Sequence, residues 1–249
     1  MVYYFLRITW TLISWIELTI LTAFLYILSY LPSIVFDSFY CKLFRIWCRF
    51  FVNALGVDLR LHQKNRKPLP AQYILIANHP SAFEDVGIPS LFDVRSLAKD
   101  GVRKWWWVGR INVAAGTLFV KRESDESRKN AVQDIIAELE KGHNVAIYPE
   151  GGCKGRRIFE SFRYGAFDLS MQTGIPILPV FLHYEMQQDF EWQPPFTLID
   201  KIWHFITLQN NRANYYVYDA IDPKDFQSKE AYTEYVYDLY LKWQARYLD

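Results

Sequence analysis

A histidine followed five and six positions later by two carboxylates stands in the stretch Asn78-His79-Pro80-Ser81-Ala82-Phe83-Glu84-Asp85, directly after an apolar run at residues 73–77. An imidazole beside a carboxylate is what a general base needs. The ring takes a hydroxyl proton, while the carboxylate fixes its tautomer and stabilises the imidazolium. The same residues have a second reading: Ser81-x-x-Glu84 is a capping box that could start a helix, leaving His79 as a turn residue. Two more apolar runs end in loops suited to anions. Gly116-Thr117-Leu118-Phe119-Val120-Lys121-Arg122 closes with adjacent cations. Tyr148-Pro149-Glu150-Gly151-Gly152-Cys153-Lys154-Gly155-Arg156-Arg157 mixes glycines with further cations. Glycines let backbone amides approach an anion, and basic side chains neutralise phosphate.

Loops of this kind need a scaffold that brings them to one edge. Residues 73–77, 117–120, 144–148 and 177–182 are short apolar runs that read as buried strands, and 214–221 reads as another. Residues 124–141 read as a helix, with Ser124 and Ser127 as candidate caps, an apolar stripe of Val132, Ile135, Ile136 and Leu139, and Gly142 as its stop. A closing helix over 229–247 places Tyr232, Tyr235, Val236, Leu239, Tyr240 and Trp243 on one face. Strands alternating with helices predict an α/β fold, a mainly parallel central sheet flanked by helices. In such sheets chemistry gathers in the loops past the carboxyl ends of the strands, where these motifs fall.

The N-terminal part follows different rules. Residues 8–31 form an apolar segment with a single charge, Glu17, and a helix of that length rises about 36 Å, enough to cross a bilayer. Only Arg7 precedes the run, and no small-x-small cleavage site ends it, so an anchor is expected rather than a signal peptide. Glu17 is expected near a helix end or interface, not as a functional intramembrane carboxylate. The next apolar stretch, 39–55, carries Lys42, Arg45 and Arg49 on one helical face and predicts an interfacial helix lying on headgroups. From residue 41 to 67 seven Lys/Arg stand against one acid, Asp58, which places this side in the cytoplasm. A shallow hairpin turning at Leu31-Pro32-Ser33 is the alternative to a span. The expected division is a membrane-embedded segment at 1–56 and a catalytic domain at 57–249. A further segment, 99–110, interleaves Lys99, Arg103, Lys104 and Arg110 with Trp105, Trp106 and Trp107, and suits anionic headgroups, with one of the three tryptophans expected in the core.

Composition sets the outer limits. With 51% hydrophobic residues, 22% charged and a net charge of +1, the chain can build a core and has no global pull toward nucleic acid. Three cysteines at unrelated spacings imply neither a disulfide framework nor a zinc site, and no metal is expected. Aromatic residues make up 18%, an excess typical of proteins that meet lipid headgroups.

Taken in order, four blocks resemble the glycerolipid acyltransferase family typified by 1-acyl-glycerol-3-phosphate acyltransferase. The family patterns are N-H-x4-D, G-x-x-F-[IV]-x-R, [FY]-P-E-G-T-R with a following F-[KR]-x-G, and an [IV]-P-[IV]-x-P-V strand. Here they stand as Asn78-His79-x4-Glu84, Gly116-x-x-Phe119-Val120-x-Arg122, Tyr148-Pro149-Glu150-Gly151-Gly152-Cys153 with Phe162-Arg163-Tyr164-Gly165, and residues 175–180. The resemblance covers about residues 70–182. It implies transfer of a fatty acyl group from an acyl-CoA or acyl-ACP thioester to a lysolipid hydroxyl, without a cofactor. His79 would be the base, oriented by Glu84 or Asp85. Arg122 would hold an acceptor phosphate, with Lys121, Glu150, Gly151, Gly152, Lys154 and Arg156 completing the substrate site. The expected partners are membrane lipid, the lysolipid acceptor and the acyl donor.

Two departures bear on the substrate. The family Asp aligns with Glu84, one methylene longer, with Asp85 next to it. The Arg of the E-G-T-R block aligns with Cys153, which removes a cation that Lys154, Arg156 and Arg157 could replace. First among acceptors is 1-acyl-glycerol-3-phosphate, giving phosphatidic acid, and other lysolipids compete. Two further readings stand beside the acyltransferase: a non-catalytic lipid-binding relative, and an α/β-hydrolase with Cys153 as nucleophile in Gly151-Gly152-Cys153-Lys154-Gly155 and Asp189 and His204 behind it. The hydrolase leaves the other three blocks unexplained.

Overall fold

The computed structural model describes residues 2–31, 33–121, 123–153, 155, 157–191, 197–208 and 210–248. Two helices come first, α1 (Val2–Leu28) and α2 (Ser33–Ala54). Then follow β1 (Asp58–Gln63), β2 (Ile74–Ala77), α3 (Glu84–Leu91), β3 (Arg95–Lys99), α4 (Trp106–Ala114), β4 (Leu118–Val120), α5 (Asp125–Glu140) and β5 (Val145–Ile147). The chain ends with α6 (Gly165–Thr173), β6 (Ile177–Tyr184), α7 (Gln187–Phe190), α8 (Leu198–Thr207), β7 (Arg212–Val217) and α9 (Lys229–Tyr247).

The strands form one sheet in the order β1-β7-β6-β2-β5-β3-β4. From β6 to β4 all neighbours are parallel, while β7 runs antiparallel to β6 and pairs in parallel with β1. The α/β fold with a mainly parallel sheet is therefore present, with two reversed strands at one side. β2 and β5 are buried along their whole length, as strands covered by helices on both faces must be. Alternation sends Leu75, Ala77, Ala146, Leu178 and Val180 into a cluster with Val52 and Leu55 at the end of α2 and Phe83 and Ile88 around α3. Ile74, Ile76, Val145, Ile147, Ile177 and Phe181 face the other way, against α5, α6 and α9. Tyr240 of α9 donates its hydroxyl to the carbonyls of Ile76 and Val180, at 2.9 and 3.1 Å, and ties the two central strands at the level where the site begins.

The expected helix over 124–141 is α5, capped by Ser124, whose hydroxyl accepts from the Ser127 amide, and ended by Gly142 at φ +85°. β1 and β3 were not expected. β1 is an edge strand with exposed polar side chains and β3 begins and ends in charge, so neither has the apolar run that marks a buried strand.

Ile8–Leu28 of α1 is long and apolar enough to cross a membrane, with mean hydropathy 1.8. Its Leu18 and Leu25 are buried, while Ile8, Trp10, Leu12, Ile16, Ile20 and Ile27 stand exposed. α2, expected as an interfacial helix, makes protein contacts on two sides. Trp47 donates to Thr22 Oγ1 at 2.7 Å, and the Tyr40 hydroxyl donates to the Leu25 carbonyl at 3.0 Å, so one face is packed on α1. On its basic face Arg45 pairs with Asp93 at 3.4 Å and Arg49 donates to the Ser90 carbonyl at 2.9 Å, while Lys42 is exposed. A basic stripe on an amphipathic helix looks the same in sequence whether its partners are phosphates or carbonyls. Trp105, Trp106 and Trp107 are all exposed, at 44%, 82% and 51%, so none of them is a core residue.

Candidate active site

β2 delivers the chain to Asn78, whose side chain continues the sheet where the backbone leaves it. Asn78 Nδ2 donates to the Leu182 carbonyl at 3.0 Å, and the Leu182 amide donates to Asn78 Oδ1 at 2.7 Å. The next residue, His79, is thereby fixed at the end of the central strand. Its backbone amide donates to Glu150 Oε1 at 2.8 Å, and its ring lies flat on Tyr148, with centroids 4.1 Å apart.

His79 Nδ1 is 3.1 Å from Glu84 Oε2, and that same oxygen accepts the Ser81 amide at 3.1 Å. Glu84 thus makes one bond of the capping-box pattern while holding the imidazole, and the turn and the base turn out to be a single arrangement. With Nδ1–H given to the carboxylate, Nε2 carries the lone pair. Asp85 is exposed and lines an apolar cavity on the other side of α3.

Glu84 is fully buried at the first turn of α3, where the helix dipole favours a carboxylate. The Tyr184 hydroxyl donates to Glu84 Oε1 in a short hydrogen bond, and the Tyr215 hydroxyl lies 3.3 Å from that of Tyr184. Burial pushes the Glu84 carboxyl well up from its usual range, and the bonds from Tyr184 and Ser81 pull against that rise. Burial also pushes the Tyr184 phenol up, so that it keeps its proton as the donor to Glu84. Gly87 gives α3 room: a Cβ there would lie 2.3 Å from the Tyr215 hydroxyl.

The loop after β5 forms the opposite wall. Glu150 joins the two walls, because Oε1 takes the His79 amide and Oε2 the Phe159 amide at 3.1 Å. Burial raises its carboxyl to about 6 against those two bonds. Gly151 has φ +75°, and a Cβ would meet the Arg163 guanidinium at 2.4 Å, so the F-R-x-G block packs directly beneath the E-G-G block. Cys153 Sγ lies 3.4 Å from His79 Nε2 and donates to the Ser81 carbonyl at 3.3 Å. The thiol of the hydrolase reading thus faces His79.

His79, Glu84, Glu150 and Cys153 therefore come together, with Gly151 and Gly152 between the last two. Lys121 is exposed, and its amide donates to Ser127 Oγ at 2.9 Å. Arg122, Lys154 and Arg156 lie outside the described residues. Tyr148 opens the Y-P-E-G-G block, whereas Tyr184 and Tyr215 belong to no motif of the sequence. A signal existed for Tyr184, since it lies two residues past the predicted end of an apolar strand and shares the inward face of Leu182 and Val180.

Beside the site, from Ala82 and Phe83 outward, is a cavity of about 130 Å³ between α2, α3, α4 and α8. Its wall is apolar, with Phe44, Trp47, Phe51, Leu55, Val108 and Phe205 among the lining.

A histidine paired with a buried carboxylate at the end of a central parallel strand, an E-G-G loop across from it and an apolar cavity alongside make up the candidate site. The model of the Acyltransferase family matches residues 58–183, and the chain belongs to that family. It is 28% identical over 156 residues to a lyso-ornithine lipid O-acyltransferase of Pseudomonas aeruginosa, covering 62% of this chain and 58% of that protein. Over 151 residues it is 28% identical to mouse lysophosphatidylcholine acyltransferase 2, covering 56% of this chain and 26% of that protein. Over 115 residues it is 24% identical to a 1-acyl-sn-glycerol-3-phosphate acyltransferase of Neisseria gonorrhoeae, covering 46% and 45%. The chain thus spans less than two thirds of each of these relatives. The fold is shared with the crystal structure of the 1-acyl-sn-glycerophosphate acyltransferase of Thermotoga maritima, with TM-score 0.69, 19% identity and coverage of 95% and 93%.

Proposed function

We propose that this protein moves a fatty acyl group from an acyl-CoA or acyl-ACP thioester to the hydroxyl of a membrane lysolipid, at a site facing the cytoplasm. The observation that carries the reading is the buried His79–Glu84 pair with Nε2 turned toward the opposite loop. In this reading Nε2 removes the acceptor hydroxyl's proton as its oxygen attacks the thioester carbonyl. Glu84 holds the ring and offsets the charge that forms on it. Collapse of the tetrahedral intermediate expels the donor thiolate, which takes the proton back from the imidazolium. In this reading the hydroxyl approaches Nε2 from the side of the opposite loop, where the Cys153 thiol lies 3.4 Å away. The apolar cavity beside Ala82 and Phe83 would take part of an acyl chain. Arg122, Lys121, Lys154 and Arg156 are assigned to the acceptor headgroup, and no metal or cofactor enters the step.

For the acceptor, 1-acyl-glycerol-3-phosphate is proposed first, on the Arg of the G-x-x-F-V-x-R block. A lysolipid with a less negative headgroup is the second reading, favoured by Cys153 standing where the resembling pattern has Arg. One acyl-thioester offered with lysophosphatidic acid, lysophosphatidylcholine and lyso-ornithine lipid decides between them, and Cys153→Arg should shift use toward the dianion. His79→Ala should lower transfer by about 10²–10⁴ with all acceptors. Transfer within threefold of the parent would rule out His79 as the base. Lysolipid binding without any turnover in the parent protein would make it the non-catalytic relative.

A further inference from the structure

We infer that α8 is a membrane-contact helix of the catalytic domain, lying in the interface of a phospholipid bilayer with Ile199 and Trp203 in the lipid. The helix is inverted by the standard of a soluble surface helix. Its lysine, Lys201, is turned inward and buried, with Nζ donating to the Asp189 carbonyl at 3.0 Å. Ile199 and Trp203, four residues apart and so on one face, are 78% and 66% exposed. A solvent-facing stripe normally carries the charge and the inner one the apolar groups. Here the inner side holds Phe205 and Lys201 buried and Ile202 against the core, while the exposed side carries Ile199 and Trp203 beside Asp200 and Thr207. The Thr197–Asp200 capping box anchors the start of the helix, so this exposure belongs to a well-formed element.

Its neighbours name the occupant. Ile202 and Phe205 share the apolar cavity with Phe44, Trp47 and Phe51 of α2 and with Trp105, which is itself 44% exposed and precedes exposed Trp106. Trp15 of α1 packs into the same cluster as Ile202 and Phe205. The inner face of α8 thus packs into the same cluster as α1, whose exposed isoleucines over a length sufficient to cross a bilayer suit hydrocarbon. Because Ile199 and Trp203 carry no charge and the exposed side of α8 offers no cation, its one acid Asp200 being held in the Thr197 capping box, contact depends on apolar insertion and gains nothing from anionic lipid. It also sets the cavity beside lipid, so that an acyl chain can pass between them without crossing water.

The test uses the full chain reconstituted in phosphatidylcholine vesicles containing lipids brominated near the headgroup or near the chain end. The emission of Trp203, taken as the difference between the parent and Trp203→Phe, should be quenched mainly by the shallow bromines and little by aqueous iodide. In the same vesicles, Ile199→Ser with Trp203→Ser should raise KM for an embedded lysolipid about tenfold, equivalent to about 1.4 kcal/mol of lost apolar insertion shared by the two side chains. The KM for a detergent-dispersed short-chain lysolipid should stay unchanged. Trp203 emission open to iodide and untouched by bromolipid overturns the proposal. So does a dimer that the double variant dissociates, which would make a second copy the occupant. The kinetic arm rests on the proposed acyl transfer, but the quenching arm does not. A parent inactive in detergent and in vesicles therefore counts against the reaction while the position of Trp203 is still decided.

Discussion

Around Glu84, polar groups are buried inside an apolar fold and each oxygen accepts a hydrogen bond, whereas along α1 and the outer face of α8 apolar side chains stand on the surface. The two regions hold shape by different means. The site is fixed by directional bonds, several of them to backbone amides, so removing a single atom leaves a buried partner unsatisfied. The helical surface is fixed by area, and single changes there are shared among many contacts. Point substitutions should therefore be sharp in the first region and graded in the second.

The largest effect expected at the site, after loss of the base itself, is at Glu84. Glu84→Ala should cut kcat by at least about 10², because Nδ1 loses its acceptor and Nε2 its defined orientation. The change should also lower Tm, since Ser81 and Tyr184 are left with unmet donors. Asp85→Asn, measured beside it, should stay within threefold of the parent, because Asp85 is exposed and Glu84 already occupies Nδ1. The reverse ranking would move the partner role to Asp85.

Next comes Tyr184→Phe. It removes the donor that holds down the Glu84 carboxyl, and a buried hydrogen bond to a charged group is worth roughly 1.5–3 kcal/mol. The acid limb of the kcat profile should move toward higher pH, with kcat reduced about tenfold and KM little changed. A variant with the parent's profile would show that Tyr184 only fills space.

Most of this scaffold could be read in the sequence because it rests on apolar runs and turn chemistry. β2, β4, β5, β6 and β7 and the helices α5 and α9 each carry a pattern that survives without tertiary context. The motif residues on strand-end loops were legible for the same reason, as loops at one sheet edge are brought together by topology alone. What could not be read depends on distant pieces of chain. Tyr184 reaches Glu84 across 100 residues, and the Arg45 and Arg49 partners belong to the α3–β3 region. α8 defeats pattern reading in another way. Its outward apolar residues would normally mark a buried face, and only the structure tells which of the two faces is covered.

A third test separates the regions by pH. Glu150 is an acid whose carboxyl is raised by burial from an ordinary 4.5 to about 6, so the folded state binds its proton more tightly than the unfolded chain does. Below about pH 4.5 the group is protonated in both states and costs nothing. Between about 4.5 and 6 the penalty for ionising it in place grows, and stability falls as pH rises; above about 6 the penalty is constant, on the order of 2 kcal/mol. Glu150→Gln should flatten this part of the stability curve in detergent micelles. It should also loosen the Phe159 or the His79 amide, because an amide side chain offers one acceptor where two are needed. An unchanged slope between pH 4.5 and 6 would assign the titration to other carboxyls.

The smallest effect is the one that sharpens the contrast most, at the basic face of α2. If Arg45 served headgroups, Arg45→Ala would weaken binding to anionic vesicles and steepen with falling salt, by about 1 kcal/mol per charge near a membrane surface. In the structure Arg45 is spent on Asp93, a pair with an exposed carboxylate, and such pairs are worth roughly 0–1 kcal/mol. Arg45→Ala should therefore lower Tm slightly and leave vesicle partitioning as it was at every salt concentration. Asp93→Ala should give the same small loss, and the double variant no more than either single one, as a coupled pair requires. Partitioning that falls with Arg45→Ala but not with Asp93→Ala would return α2 to the headgroup layer, and the line between region held by bonds and region held by area would have to be drawn one helix further into the domain.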